Sequence, residues 1–234
     1  MKTLAILGAG PGLGFATARR FGEEGFETVL VSRNERRLKS FVDDLAGLGI
    51  EARGVAADLS DVDSHEDLVA ELGPVDVALM NGFFDQEHIR AADDIDVASM
   101  RAAVERLVLA PLSLTRLLLP HMLREGHGAI LYGLGASARI PMPPLGGVGS
   151  AQAALRNYAL NLNHTLAEQG VYVGAMTIGA LIAHSDAERI FDADASARRG
   201  YEPERADPAD LADRLWTMYT ERATAEHVVG PHAA

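Results

Sequence analysis

The chain has 234 residues, 48% hydrophobic and 23% charged, which is ordinary for a globular protein with a large core and fits one domain spanning 1–234. It contains no cysteine, so disulfides, thiolate metal sites and cysteine nucleophiles are excluded. A formal net charge of −12 disfavours nucleic acid and anionic membrane, and no segment approaches the roughly 20 apolar residues of a bilayer span, so a cytoplasmic protein is expected.

Apolar, β-branched runs alternate with helical patterns along the chain. A first strand over 4–7 leads into Gly8-Ala9-Gly10-Pro11-Gly12-Leu13-Gly14. Its apolar part is too short for a signal peptide and runs directly into that loop. A helix over 14–24 follows, with Phe15, Ala18 and Phe21 at helical spacing. A strand at 28–31 precedes a helix capped by Asn34, and a strand at 52–57 ends at Asp58. Ser64 is read as the cap of the next helix, and a fourth strand covers 75–80. A long helix over 97–118 is expected to close at Pro120. A fifth strand at 128–132, a long helix at 149–168, a sixth strand at 171–178, a helix opening at Pro208 and a short strand at 227–229 complete the chain. This alternation predicts an α/β fold, a doubly wound, mostly parallel sheet covered by helices on both faces. The irregular stretches 82–94, 133–147 and 179–208 all follow strands, where such sheets place ligands.

Strand, glycine loop and helix in that order suit a dinucleotide: glycines let the backbone approach a pyrophosphate, and the helix N-terminus offers N–H groups to the anion. Gly8, Gly10, Pro11, Gly12, Leu13 and Gly14 are the residues placed there. The second strand ends in Ser32 and Arg33, where a carboxylate would mark a site for NAD. A neutral serine beside an arginine favours NADP(H) over NAD(H), with Arg33 pairing the 2′-phosphate. The other reading of Arg33 is a solvated charge beside Arg36 and Arg37. Asp58, with Leu59 behind it, could accept from the adenine amino group or serve as a cap or turn residue.

The spacing Gly8-x3-Gly12-x-Gly14, Arg33 after the second strand, Ala57-Asp58-Leu59, and Leu119-Pro120-His121-Met122 before Gly128-Ala129-Ile130 resemble the short-chain dehydrogenase/reductase family as far as about Gly179. The resemblance implies a single Rossmann domain with a parallel sheet of about seven strands. It also implies a homodimer or homotetramer packed through the 97–118 and 149–168 helices. Asn81, Gly82, Gln152 and Gly179 fall where the family holds its cofactor.

In this family a Tyr is the general acid/base, a Lys lowers its pKa, a Ser orients the substrate carbonyl and an Asn supports a water relay. Here Val148 falls at the Tyr position, Gln152 at the Lys position, Gly135 at the Ser position and Leu107 at the Asn position. Val148 cannot exchange a proton, and the uncharged Gln152 cannot depress a neighbour's pKa. Tyr132, Ser137 and His184 are the candidate substitutes. Asp85, His88 and Asp186 also follow strands and are equally readable as exposed loop residues, and Ser150 lies about 200° around its helix from Val148. His121 and His127 are too scattered for a metal site. The loop over 140–148, with Met80, Phe83 and Phe84, is read as one wall of an apolar substrate pocket.

Three functions follow from these residues. The first is an NADP(H)-dependent oxidoreductase with a non-standard site, reducing a small, apolar carbonyl, imine or enone. The second is a catalytically inactive NADP-binding protein, a sensor or a partner subunit. The third is a non-redox enzyme on the same fold. The intact phosphate loop favours the first, and the loss of the acid and base favours the others.

Overall fold

The computed structural model describes residues 1–81, 89–193 and 203–230. Seven parallel strands form the central sheet: β1 (Thr3–Leu7), β2 (Glu27–Ser32), β3 (Ala52–Ala56), β4 (Val77–Met80), β5 (Gly128–Gly135), β6 (Val171–Ile178) and β9 (Glu226–Val229). They lie in the order β3-β2-β1-β4-β5-β6-β9. Two more short strands, β7 (Leu181–Ile182) and β8 (Arg205–Ala206), pair with each other beyond the sheet.

The two faces of the sheet explain the near-continuous apolar strands. Leu4 and Ile6 of β1 pack on one face with α1 (Leu13–Glu23), α2 (Glu35–Gly47) and α8 (Pro208–Glu221). Ala5 and Leu7 pack on the other with α3 (His65–Leu72), α5 (Ala110–Glu125) and α6 (Gly146–Leu166). A strand buried on both sides has no polar face to alternate with. Phe21, Phe26, Trp216 and Tyr219 clamp α1 against α8 by edge and tilted ring contacts.

The long helix departs from expectation in two ways. It begins as α4 (Val97–Val104), passes through one π-helical stretch, Glu105–Leu109, and continues as α5 to Glu125. Pro120 lies inside it rather than closing it, and Gly126 in the left-handed conformation ends it instead. An internal proline costs a helix about 3 kcal/mol, but Leu114, Thr115, Leu118 and Met122 bury one continuous face that straddles it. Ser64 does not cap α3: its hydroxyl donates to Asp61 O, whereas Asn34 does cap α2 by accepting from Arg37 N–H. The fifth strand runs three residues past Tyr132, to Gly135.

Strand order reverses between β1 and β4. The loops leaving their carboxyl ends therefore diverge and open a cleft, the place where open α/β sheets bind ligands.

Candidate functional site

The glycine loop between β1 and α1 forms the floor of that cleft. Gly8 has φ 106°, a left-handed conformation that L side chains resist, and this turn lets Gly8 and Ala9 N–H both donate to Val31 O. A Cβ at Gly14 would lie 3.1 Å from Ala9 Cα and 3.2 Å from Gly8 O, so α1 approaches the strand end as closely as a glycine allows. Gly10 faces open space. No side chain caps α1, and its first N–H groups lie at the cleft, as an anion site needs.

The cleft measures about 260 Å³. The six glycine-loop residues assigned from sequence line it, with Ser32, Arg33, Asp58, Leu59 and Asn81. Asp58 is both a turn residue and a cleft residue: Oδ1 accepts from Ser60 N–H at 3.0 Å and from Ser60 Oγ at 2.7 Å. The Ser60 hydroxyl bond, then the Ser60 amide, and then Arg33 and Arg106 nearby hold its carboxyl below the ordinary aspartate value. Leu59 is braced from behind. His65 is fully buried, with Nε2 donating to Leu59 O at 3.1 Å and Nδ1 accepting from Ser113 Oγ at 3.0 Å. Burial lowers the pKa of that ring, which favours the neutral form this bonding requires.

Sequence reasoning missed part of the lining. Arg106, from the π-helical stretch, and Arg37, from α2, both reach the cleft. So do Ser60, Ile182, Ser185, Asp186 and Ala187. Three arginines and two aspartates therefore line a cleft in a protein of net charge −12, an inversion that focuses field on a polyanionic ligand. The segment 182–187 lies directly over the glycine loop: a Cβ at Gly12 would lie 3.1 Å from both Ile182 Cγ2 and Ser185 Cβ.

The region over β5 and the start of α6 differs. Val148 and Leu107 are each 2% exposed and belong to the core. Gln152 Oε1 accepts from Gly135 N–H at 3.0 Å, and a Cβ at Gly135 would come within 3.1 Å of that oxygen. Ser137 is half-buried, with its hydroxyl on the Gly135 side, so Gly135, Ser137 and Gln152 do converge. Gly179 spends its N–H on Val229 O. Gln152 and Gly179 thus brace the main chain here and are not part of the cleft lining.

Two candidate acids are displaced. Tyr132 is fully buried, its hydroxyl 2.6 Å from Thr115 Oγ1, and burial drives its pKa far above the ordinary tyrosine value. The strand pleat turns it toward the helices, so it cannot hand a proton to a ligand. His184 is exposed with φ 62°, its N–H donating to Glu188 Oε2, and it is not part of the cleft lining. Met80, expected in a substrate pocket, is 2% exposed within the core. Gly82, Phe83, Phe84, Asp85 and His88 lie outside the described residues. Among the described residues no group of three or more His, Asp or Glu is placed to hold a metal ion.

The short chain dehydrogenase family profile matches residues 2–190. The chain belongs to the short-chain dehydrogenase family. A family member from Pseudocercospora fijiensis is 30% identical over 191 residues, which cover 77% of this chain and 60% of that protein. The match thus spans less than two thirds of that relative's length. Among solved structures, a candidate NAD(P)-dependent gluconate 5-dehydrogenase from Beutenbergia cavernae, with NADP bound at low occupancy, superposes with a TM-score of 0.84. It is 20% identical, covering 97% of this chain and 94% of that one. An NADPH-bound short chain oxidoreductase from Pseudomonas aeruginosa, described as containing an atypical catalytic centre, has a TM-score of 0.82 at 18% identity, with 98% and 97% covered. At these identities the likeness shows the fold, a single-domain Rossmann arrangement. Among the described residues no helix is long and apolar enough to cross a membrane.

Proposed function

We propose that this family member binds NADP(H) in preference to NAD(H) and works as an oxidoreductase on a substrate that needs no protein acid. The observation that carries the reading is the cleft itself. It has an uncapped helix end and glycine loop for a pyrophosphate, and a neutral Ser32 beside Arg33 at the end of β2. Asp58 lies at the adenosine side with its carboxylate favoured. These residues fit the adenosine and phosphate half of a dinucleotide.

Such a cofactor, when bound, supplies or takes up hydride. Among the described residues the groups assigned to the reacting end are neutral: the hydroxyl of Ser137, the carboxamide of Gln152 committed to Gly135, and the apolar Val148 and Leu107. Ser137 can orient a substrate atom by hydrogen bonding but holds no proton to give near neutral pH. Ketone reduction makes an alkoxide that must be protonated, and losing a general acid costs about 10²–10⁴-fold. An iminium carbon accepts hydride and becomes a neutral amine, with no proton consumed. An apolar imine, as its iminium, is therefore the substrate class this site suits best; an activated enone would follow only with solvent water protonating the enolate that hydride addition leaves.

A second reading is a dinucleotide-binding sensor or partner subunit without turnover. It is favoured by the same neutral end, where Gln152 is engaged in bracing Gly135. A homodimer or homotetramer through the 97–118 and 149–168 helices, and a cytoplasmic location, belong to this proposal too. Val97, 76% exposed, and Leu109, 45% exposed, supply apolar surface on the first helix for such a contact.

The deciding experiment titrates the protein with NADPH and NADH, then follows deuterium from stereospecifically labelled NADPH into a panel of ketones, iminium ions and enones. Tighter NADPH binding, with label in the iminium or enone product at a rate flat between pH 6 and 8, supports the oxidoreductase. Binding without label transfer supports the second reading. NADH binding as tightly as NADPH overturns the cofactor choice.

A further inference from the structure

The cleft has a clasp. Arg37 donates to both carboxylate oxygens of Asp186, Nη1 to Oδ2 at 2.6 Å and Nη2 to Oδ1 at 3.2 Å. Arg37 stands on the first turn of α2, four residues beyond Arg33, and Asp186 opens α7 (Asp186–Ala193). Both residues line the cleft. The strap 182–187, which carries Asp186, crosses the glycine loop and passes close to it at Gly12. On its far side the strap is tied down separately. Ala183 N–H donates to Ala206 O, His184 N–H to Glu188, and Glu188 and Asp192 pair with Arg205. The clasp thus joins the edge of the cleft that carries Arg33 to the segment that closes over it.

We propose that Arg37 is a second ligand of the cofactor's 2′-phosphate, held by Asp186 until that phosphate takes its place, so that NADP(H) and not NAD(H) releases the strap. The proposal rests on the NADP(H) reading above and adds the regulation of that site. A guanidinium binds a carboxylate and a phosphate through the same two parallel N–H bonds. Asp186 therefore occupies Arg37 with an internal analogue of the ligand, and the more highly charged phosphate competes for it. Asp186 keeps a second partner, Arg189 Nη2 at 2.8 Å, so its charge stays compensated when Arg37 leaves. NAD(H) presents only a ribose hydroxyl at this position and cannot compete with a carboxylate for a guanidinium. The device makes one atom group report which nucleotide is bound, and transmits that to the segment over the cleft.

The test is a titration of wild type, Asp186→Asn, Arg37→Met and the double variant with NADPH and with NADH, alongside amide hydrogen exchange over 182–187. Removing the competitor in Asp186→Asn should tighten NADPH about 3–10-fold and leave NADH unchanged, within the strength of a charge-assisted bond. Arg37→Met should weaken NADPH about 10-fold, again without moving NADH. In the double variant the gain from Asp186→Asn should vanish, because its only route is through Arg37. Exchange over 182–187 should speed up in wild type with NADPH and not with NADH. A purely structural clasp would shift both nucleotides alike in both single variants, and that result overturns the proposal. So does strap exchange that slows with NADPH. If wild type prefers NADPH while both variants leave its affinity untouched, the clasp alone is wrong. If wild type shows no NADPH preference, the cofactor reading fails first and takes the clasp with it.

Discussion

Two regions along the carboxyl edge of the sheet are built on opposite principles. At the end over β1, β2 and β3, charge and backbone dipoles dominate: the uncapped N-terminus of α1, Arg33, Arg37 and Arg106 set against Asp58 and Asp186. Over β5 and the start of α6, Val148, Leu107, Gln152 and Ser137 are apolar or uncharged. Val148 and Leu107 merge into the core, and Gln152 holds a glycine's main chain. Both regions are well packed and hydrogen-bonded. Gly135 and Gln152 fit each other, because a side chain on Gly135 would collide with the carboxamide that now bonds its N–H.

The largest effect would come from rewriting the neutral end. Val148→Tyr with Gln152→Lys and Gly135→Ser supplies an acid, a charge beside it and a carbonyl-orienting hydroxyl together. Ketone reduction with NADPH should then rise about 10²–10⁴-fold and acquire a pH dependence, read by steady-state assay. Val148→Tyr alone should give no such gain, since no cation lowers the new phenol's pKa. A ketone reductase activity in wild type equal to that of the triple variant would erase the contrast between the two ends.

Next in size is the charged end. Arg33→Ala should weaken NADPH about 10–100-fold by titration and change NADH by less than about 3-fold, because it removes a charge-assisted contact only the phosphate makes. Equal losses would mean that Arg33 contacts both nucleotides.

A smaller effect concerns the prop beneath that end. His65→Leu leaves Leu59 O and the Ser113 hydroxyl unpaired and should cost about 1–3 kcal/mol by denaturant unfolding. The pH dependence has a definite sign. The folded pKa of His65 is below its ordinary 6.5, so the unfolded chain takes up the proton first. The contribution of His65 is complete above about 6.5 and is lost as pH falls from there toward the folded pKa. The fall in stability between pH 7 and 5 should be shallower in His65→Leu than in wild type.

The smallest effect is a control outside both ends. Val97→Asp on the exposed face of α4 should shift the mass seen by light scattering toward monomer. It should change unfolding free energy by no more than about 0.5 kcal/mol apart from that assembly. An unchanged mass would remove this face from any interface.

The charged end was legible because it is contiguous. Strand, glycine turn and helix follow one another along the chain, Ser32 closes β2, and Arg33 and Asp58 follow β2 and β3 within two residues. Period and turn chemistry are local properties, and they placed these residues before any contact was known. Arg106 escaped notice because a π-helical stretch in a long helix leaves no mark in apolar spacing, yet it sets which side chain faces the cleft. Ser185 and Asp186 lie more than 170 residues from the glycine loop and meet it only through the sheet. Tyr132 shows the converse. It lies in the right strand at the right end, but the pleat decides its face, and the hydroxyl ends on Thr115.

Apolar periodicity and glycine placement act through neighbours along the chain, so the parallel α/β domain and its glycine loop are written in the amino-acid order. Tertiary structure alone decided which polar groups meet: the inward turn of Tyr132, the union of Gln152 with Gly135, and the Arg37–Asp186 clasp over the cleft. Those depend on side-chain direction and on contacts between distant segments, which close only when the sheet brings the strand ends side by side.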